Sequence, residues 1–153
     1  MRMSRYVATI LAVACLTIAS RPALAQTAVI VHRSSAVSDV KLDDLRRFFL
    51  GQGALAANGR QVILVELSPI RTRFYKRLLG LSPDDVRRRW IGVVFRGDAL
   101  TLPFELDDAT AVKKFVAEHP GAVAFVEVSD LDDTIKALRI DGKRPGDPLY
   151  PIK

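Results

Sequence analysis

Residues 61–79, QVILVELSPIRTRFYKRLL, decide the fold, because they contain a strand that runs directly into a helix. The apolar run at residues 62–65 is rich in β-branched side chains, which is typical of a strand covered on both faces. Ser68 is the expected N-cap and Pro69 the expected first helical residue, where the missing proline N–H costs no helical hydrogen bond. These residues therefore predict a strand, a sharp turn and a helix.

The predicted helix has one apolar side. Ile70, Phe74 and Leu78 recur at intervals of three or four residues, so we expect them to face the core. Arg71 and Arg73 fall on the outer side. The spacing thus predicts a helix with one side in the core, on which Arg71, Arg73 and Lys76 can face outward.

The junction between this strand and this helix is the expected functional site. A helix start offers backbone N–H groups and a positive dipole end, which suit phosphate, sulfate or carboxylate. Arg71 and Thr72 add side-chain donors, and the arginine fork matches an oxyanion. The alternative is a strand–turn–helix unit that binds no ligand, since many folds use this unit without a site.

The first 25 residues predict a signal peptide rather than a part of the fold. Arg2 and Arg5 give the positive start, residues 7–18 the apolar segment and residues 23–25, ALA, the small-residue cleavage pattern, so cleavage is expected before Gln26. The apolar run is shorter than the roughly 20 residues that span a bilayer. We therefore expect an exported chain without stable membrane insertion.

The cysteine count, the net charge and the length exclude several classes of function. Cys15 lies in the predicted signal peptide, so disulfide and thiol chemistry are excluded from the remainder. Loss of three signal-peptide arginines lowers the net charge from +6 to +3, which is too mild to indicate nucleic-acid binding. The 128 residues that remain of 153 suit one compact domain, residues 26–142, followed by a Pro-rich tail at residues 143–153.

Strands and helices alternate before and after the central unit. A first strand at residues 28–32 leads into the polar loop Arg33-Ser34-Ser35, which offers a second ligand wall. A helix at residues 42–50 is expected to end at Gly51, and Asn58-Gly59 predicts a turn in the loop that follows.

The second half of the chain repeats the same helix-start signal. Ser82, Pro83 and Asp85 predict an N-cap, a first-position proline and a capping box. We interpret residues 87–89, RRR, as a solvated helix face and Trp90 as a core residue.

Further elements complete a mixed α/β pattern. Residues 96–105 are expected to be an extended connection without regular structure, because Pro103 disfavours it. A helix should follow Asp107 or Asp108, then a buried strand at residues 122–128, a helical turn near residues 129–133 and a last strand at residues 135–140. Leu149, Tyr150 and Ile152 are expected to dock the tail. Together, these strands and helices predict a single α/β domain in which helices cover a mixed sheet.

No catalytic or metal pattern emerges from the sequence. His32 and His119 lack a neighbouring acid and nucleophile, so structural or solvent-facing roles are expected for both. Asp130, Asp132 and Asp133 lack the spacing, glycine and glutamate of a calcium loop. Glycine-rich phosphate loops and nucleophile elbows are also missing. The sequence therefore predicts a protein that is not an enzyme and holds no metal or cofactor.

Five segments together resemble the small periplasmic proteins related to phosphate ABC-transporter substrate-binding proteins, which have the type II periplasmic-binding fold. The segments occur in the family's order and cover most of the chain after residue 25. They are Val40-x4-Leu45-x2-Phe48-Phe49-Leu50-Gly51, Asn58-Gly59, Ser68-Pro69-Ile70-Arg71-x2-Phe74-Tyr75, Trp90-x4-Phe95-x-Gly97 and His119-Pro120-Gly121-Ala122-Val123-Ala124-Phe125-Val126.

The resemblance implies one lobe of a type II periplasmic binding protein, located in the periplasm, that takes phosphate or another small oxyanion. Its implied partner is an ABC transporter permease or another envelope protein, with no nucleic acid. The implied alternative is a non-catalytic interaction or regulatory module that keeps the fold without binding phosphate. By position, the candidate ligand-binding residues are Ser68, Ile70, Arg71, Thr72, Ser34 and Ser35.

Overall fold

A computed structural model describes residues 25–53, 62–99 and 101–153. The predicted signal peptide up to residue 24 and the predicted Asn58-Gly59 turn lie outside these ranges. Within them, no helix is long and apolar enough to cross a membrane.

The described residues form four α-helices, seven strands and one short 3-10 turn. In chain order they are β1 (Thr27–His32), β2 (Asp39–Val40), α1 (Leu42–Phe49), β3 (Ile63–Leu67), α2 (Ser68–Leu79), α3 (Pro83–Phe95), β4 (Phe104–Leu106), α4 (Ala109–Glu118), β5 (Ala122–Glu127), a 3-10 turn (Val128–Asp130), β6 (Ile135–Ala137) and β7 (Arg139–Ile140).

The main sheet is mixed, as predicted, with strand order β4-β3-β5-β1-β6. β3 runs parallel to both β4 and β5, whereas β1 runs antiparallel to β5 and β6. The short strands β2 and β7 form a separate parallel pair. The ends of β3, β4 and β5 therefore meet at one edge, which we call the carboxyl edge, together with the start of β1.

Helices cover both faces of this sheet. Glu66 of β3 and Glu105 of β4 are register partners and share one face, on which α2 lies, since Arg71 contacts both carboxylates. Side chains alternate along a strand, so Phe104 points to the opposite face, where its ring lies 5.2 Å from that of Phe115 on α4. The prediction of a helix-covered sheet is confirmed.

Aromatic packing fixes α2 onto the sheet. Phe74 stacks on Phe125 of β5 with ring centroids 3.9 Å apart, and Phe49 of α1 meets Phe74 edge-on at 4.9 Å. The predicted core residues Ile70, Phe74 and Leu78 are all buried, which confirms the apolar side of α2. Because these rings are anchored, the start of α2 has a fixed position at the carboxyl edge.

Gly51 ends α1 as the sequence predicts. Its φ is +74°, and the next N–H, that of Gln52, donates to Arg47 O at 2.8 Å. A Cβ at Gly51 would also lie 2.4 Å from Cγ2 of Val93 on α3. Both the backbone conformation and the close approach of α3 therefore require glycine here.

Three predictions about the later strands and the tail differ from the structure. Residues 104–106 form β4 inside the stretch expected to lack regular structure; Pro103 is tolerated because it precedes a short edge strand. The predicted strand at residues 135–140 splits at Leu138 into β6 and β7, which belong to different sheets. In the tail, Tyr150 and Ile152 are buried as predicted, but Leu149 is 68% exposed, so its docking role is wrong.

Candidate functional site

The carboxyl edge brings two glutamates and an arginine together where α2 begins. Glu66 and Glu105 lie directly opposite each other on β3 and β4, an arrangement of like charges that is unfavourable without a cation. Arg71, one turn into α2, provides that cation: Nη1 donates to Glu66 Oε2 at 3.3 Å and also contacts Glu105 Oε1. The arginine thus ties the helix start to both strands.

Glu66 is the buried member of this group, with 5% of its surface exposed. The Tyr75 hydroxyl donates to Oε1, so each carboxylate oxygen has a protein partner. Burial raises the pKa of Glu66, and the hydrogen bond from Tyr75 and the charge of Arg71 oppose that rise. Burial also raises the pKa of Tyr75. Tyr75 therefore stays a donor and holds the carboxylate in place.

A cavity of about 240 Å³ opens beside this group. Arg71 and the two glutamates line one side, and the first turn of α3 supplies Asp84 and Arg87. Pro83 and Pro103 complete the wall. The cavity therefore presents three carboxylates and two guanidinium groups, which can hold an oxyanion and can also accept protons or cations.

Ser68 does not have its predicted role as N-cap. α2 already includes Ser68 as its first residue, and Leu67 is the N-cap with extended backbone angles. The reason is that Leu67 remains paired with Leu106 of β4, so the strand continues up to the helix without an intervening turn. The Ser68 hydroxyl instead donates to Glu105 Oε2 at 3.2 Å.

The other predicted residues of the junction differ in their surroundings. Arg71 lines the cavity. Ile70 is only 6% exposed, belongs to the core and is not among the residues that line the cavity. Thr72 is exposed on α2 and is not among the residues that line the cavity.

Ser34 and Ser35 lie at the end of the sheet opposite the carboxyl edge, next to the starts of β3 and β5. They follow the end of β1, which is antiparallel to β5, so the full length of the sheet separates them from Ser68. At about 3.3 Å per residue this separation is roughly 15–20 Å. Ser34 Oγ contacts His32 Nδ1 at 2.8 Å, and Ser35 Oγ accepts from Val37 N at 3.3 Å. The structure does not bring this loop together with the junction.

Four charged residues of the cavity were not among the predicted site residues: Glu66, Glu105, Asp84 and Arg87. A charged residue inside an apolar strand was the available signal for Glu66. Glu105 had no such signal because β4 itself was not predicted. In the described part of the chain, no group of three or more His, Cys, Asp or Glu side chains is arranged to hold a metal ion.

Comparisons with known proteins point to phosphate receptors. No protein-family model matches the chain. The phosphate-binding protein PstS of Bacillus subtilis (strain 168) is 29% identical over 127 residues, which cover 77% of this chain and 37% of that protein.

Solved structures resemble the fold. An ABC-type phosphate transport receptor from Vibrio cholerae superposes with a TM-score of 0.62 at 17% identity, covering 79% of this chain and 48% of the receptor. A putative phosphate ABC transporter substrate-binding protein with bound phosphate, from Clostridium perfringens, gives 0.63 at 19% identity, covering 79% and 47%. The chain thus spans half or less of the length of these proteins, and it resembles phosphate-binding substrate-binding proteins in sequence and one of their lobes in fold.

Proposed function

We propose that this chain is a periplasmic solute-binding-like protein for phosphate or another small oxyanion, with its site in the cavity beside Arg71. The observation that carries the proposal is the meeting of two guanidinium groups, Arg71 and Arg87, with the start of α2 at the carboxyl edge. Ligands of α/β folds bind outside the carboxyl ends of parallel strands. The similarity to phosphate-binding proteins supports the same ligand class.

Arg71 keeps donor capacity for a ligand. A guanidinium group has five N–H hydrogens, and among the described residues both ion pairs of Arg71 are made by Nη1. Nε and Nη2 form the fork that matches two oxygens of an oxyanion. Pro69 has no N–H to offer, and Ser68 and Ile70 are not among the residues that line the cavity, so the guanidinium groups of Arg71 and Arg87 are the donors proposed for the ligand.

The carboxylates give the site a means of selection. Phosphate carries a proton near neutral pH and can donate it in a hydrogen bond to Glu105 or Glu66, whereas sulfate has no proton to donate. Sulfate would bring its negative charge next to these carboxylates without a hydrogen bond to offset the repulsion. We therefore expect phosphate to be preferred over sulfate.

The partner and location follow from the same proposal. The predicted signal peptide leads the chain to the periplasm, where an ABC transporter permease or another envelope protein would receive the ligand-loaded lobe. The chain has a binding role in this scheme and no catalytic step.

Calorimetric titration of the purified chain with phosphate, sulfate and succinate tests the proposal. Saturable phosphate binding is expected, and Arg71→Gln should weaken it about tenfold or more because a charge-assisted fork is lost. Arg73→Gln is the matched control: Arg73 lies on the same helix but pairs with Glu127, outside the cavity.

Two outcomes would redirect the proposal. If Arg71→Gln and Arg73→Gln weaken phosphate binding equally, the cause is a loss of α2 stability rather than the loss of a ligand contact in the cavity. No heat from a folded chain would favour the non-catalytic interaction module, for which α3 offers an exposed apolar pair, Ile91 and Phe95, one turn apart.

A further inference from the structure

The cavity has more negative than positive side chains, which does not suit a ligand that carries only negative charge. Three carboxylates, Glu66, Asp84 and Glu105, face two guanidinium groups, Arg71 and Arg87. Glu66 and Glu105 already share Arg71. A hydrogen phosphate dianion held by Arg71 and Arg87 can donate its one proton to one of these carboxylates, but it would still lie beside the other two, which repel it.

We propose that the preferred ligand is zwitterionic: a phosphate or phosphonate group joined by a short linker to an ammonium group. This inference rests on the proposed oxyanion site and specifies its ligand class. The phosphoryl group contacts Arg71 and Arg87, and the ammonium group contacts Asp84 and Glu105. Each ligand charge then has an opposite charge of the protein as its neighbour.

The first turn of α3 supports this assignment through a contrast between two pairs with the same spacing. Asp85 and Arg88 form an i,i+3 salt bridge. Asp84 and Arg87 have the same spacing, yet among the described residues they form no ion pair; both line the cavity instead. Their charges are therefore available to a ligand that carries both signs.

The two walls of the cavity are alike in charge pattern. The strand and α2 side presents Glu105 with Arg71, and the α3 side presents Asp84 with Arg87. The cavity measures about 240 Å³, several times the roughly 30 Å³ that one water molecule occupies in the liquid. It therefore has room for a ligand of several non-hydrogen atoms.

Calorimetry with three probes tests the inference on the full chain. The probes are inorganic phosphate, ethyl phosphate and O-phosphoethanolamine, of which the last two differ only by the ammonium group. We expect O-phosphoethanolamine to bind about tenfold more tightly than ethyl phosphate. Asp84→Asn should reduce that ratio several-fold, because it weakens O-phosphoethanolamine by removing the partner of its ammonium group and strengthens ethyl phosphate by removing a repelling carboxylate.

Asp43→Asn is the matched control, because Asp43 is an exposed acid in the first turn of α1 and lies outside the cavity. It should leave the ratio unchanged. Binding of phosphate and ethyl phosphate with no gain for O-phosphoethanolamine would overturn this inference and leave the oxyanion proposal standing. A folded chain that binds none of the three would overturn both.

Discussion

Two helices of this chain begin with the same Ser-Pro dipeptide, yet the two serines have different roles. Ser82 is the N-cap of α3: its hydroxyl accepts from Asp85 N at 3.2 Å, and its own N–H donates to Asp85 Oδ2 at 3.3 Å. Ser68 is already inside α2, caps nothing and donates its hydroxyl to Glu105 on a neighbouring strand. The N-terminus of α3 therefore has hydrogen bonds within its own first turn, whereas that of α2 is linked to Glu105, a residue of the cavity.

The difference arises three residues after each serine. Asp85 can accept a hydrogen bond and close a capping box, whereas Arg71 has only donors and cannot. Arg71 instead reaches the glutamates of β3 and β4. In this chain, the Ser-Pro start that lacks the capping-box acid is the one whose side chains contact the neighbouring strands.

The largest effect should come from breaking the buried support of the α2 start. Tyr75→Phe removes the donor to the buried Glu66 carboxylate, so we expect the free energy of unfolding to fall by about 2 kcal/mol. Tyr150→Phe is the control: its buried hydroxyl donates to a neutral carbonyl, Leu138 O, across 3.4 Å, and should cost less. Urea unfolding measures both, and equal losses would contradict a special role for Glu66.

Serine substitutions separate the two starts directly. Ser82→Ala should lower the free energy of unfolding by about 1 kcal/mol through loss of the N-cap. Ser68→Ala should cost less than about 0.5 kcal/mol, since no backbone N–H depends on it, but should weaken phosphate binding about threefold by leaving Glu105 with one donor fewer. Unfolding and calorimetry on each variant give the comparison, and a larger stability loss for Ser68→Ala would reverse it.

The smallest expected effect is on the pH dependence of stability, for which Glu66 near the α2 start and Asp85 at the α3 start should act in opposite directions. Burial raises the pKa of Glu66 above its usual 4.5, so its contribution is fully present below pH 4.5 and is lost as pH rises through the folded-state pKa. The hydrogen bond from Ser82 lowers the pKa of Asp85 below its usual 3.8, so its contribution is present above pH 3.8 and is lost as pH falls.

Unfolding of wild type, Glu66→Gln and Asp85→Asn across this pH range provides the measurement. The stability difference between wild type and Glu66→Gln should shrink as pH rises, whereas that for Asp85→Asn should grow to a plateau. Parallel curves for the two variants would show that the two acids have similar environments.

Local patterns in the sequence were sufficient for most of the fold. The capping box at Ser82, the left-handed Gly51 and the apolar side of α2 all depend on neighbours within about four residues, where periodicity and capping rules apply. The cavity depends on contacts between distant segments. Arg71 is predictable from its own position, but its partner Glu105 lies in a three-residue edge strand after Pro103, where the sequence predicts no regular structure. Arg87 is exposed, as predicted for a solvated helix face, and its position beside the cavity depends on residues that are distant in sequence.

The position of β1 in the sheet constrains the order in which the protein folds. β1 is the first strand along the chain, yet it lies between β5 and β6, and Thr27 pairs with Glu127 about 100 residues later, a separation that slows folding. Thr27 N also donates to Ile152 O. The five-stranded sheet therefore cannot be completed until β5 and β6, about 100 residues after β1, have been synthesised.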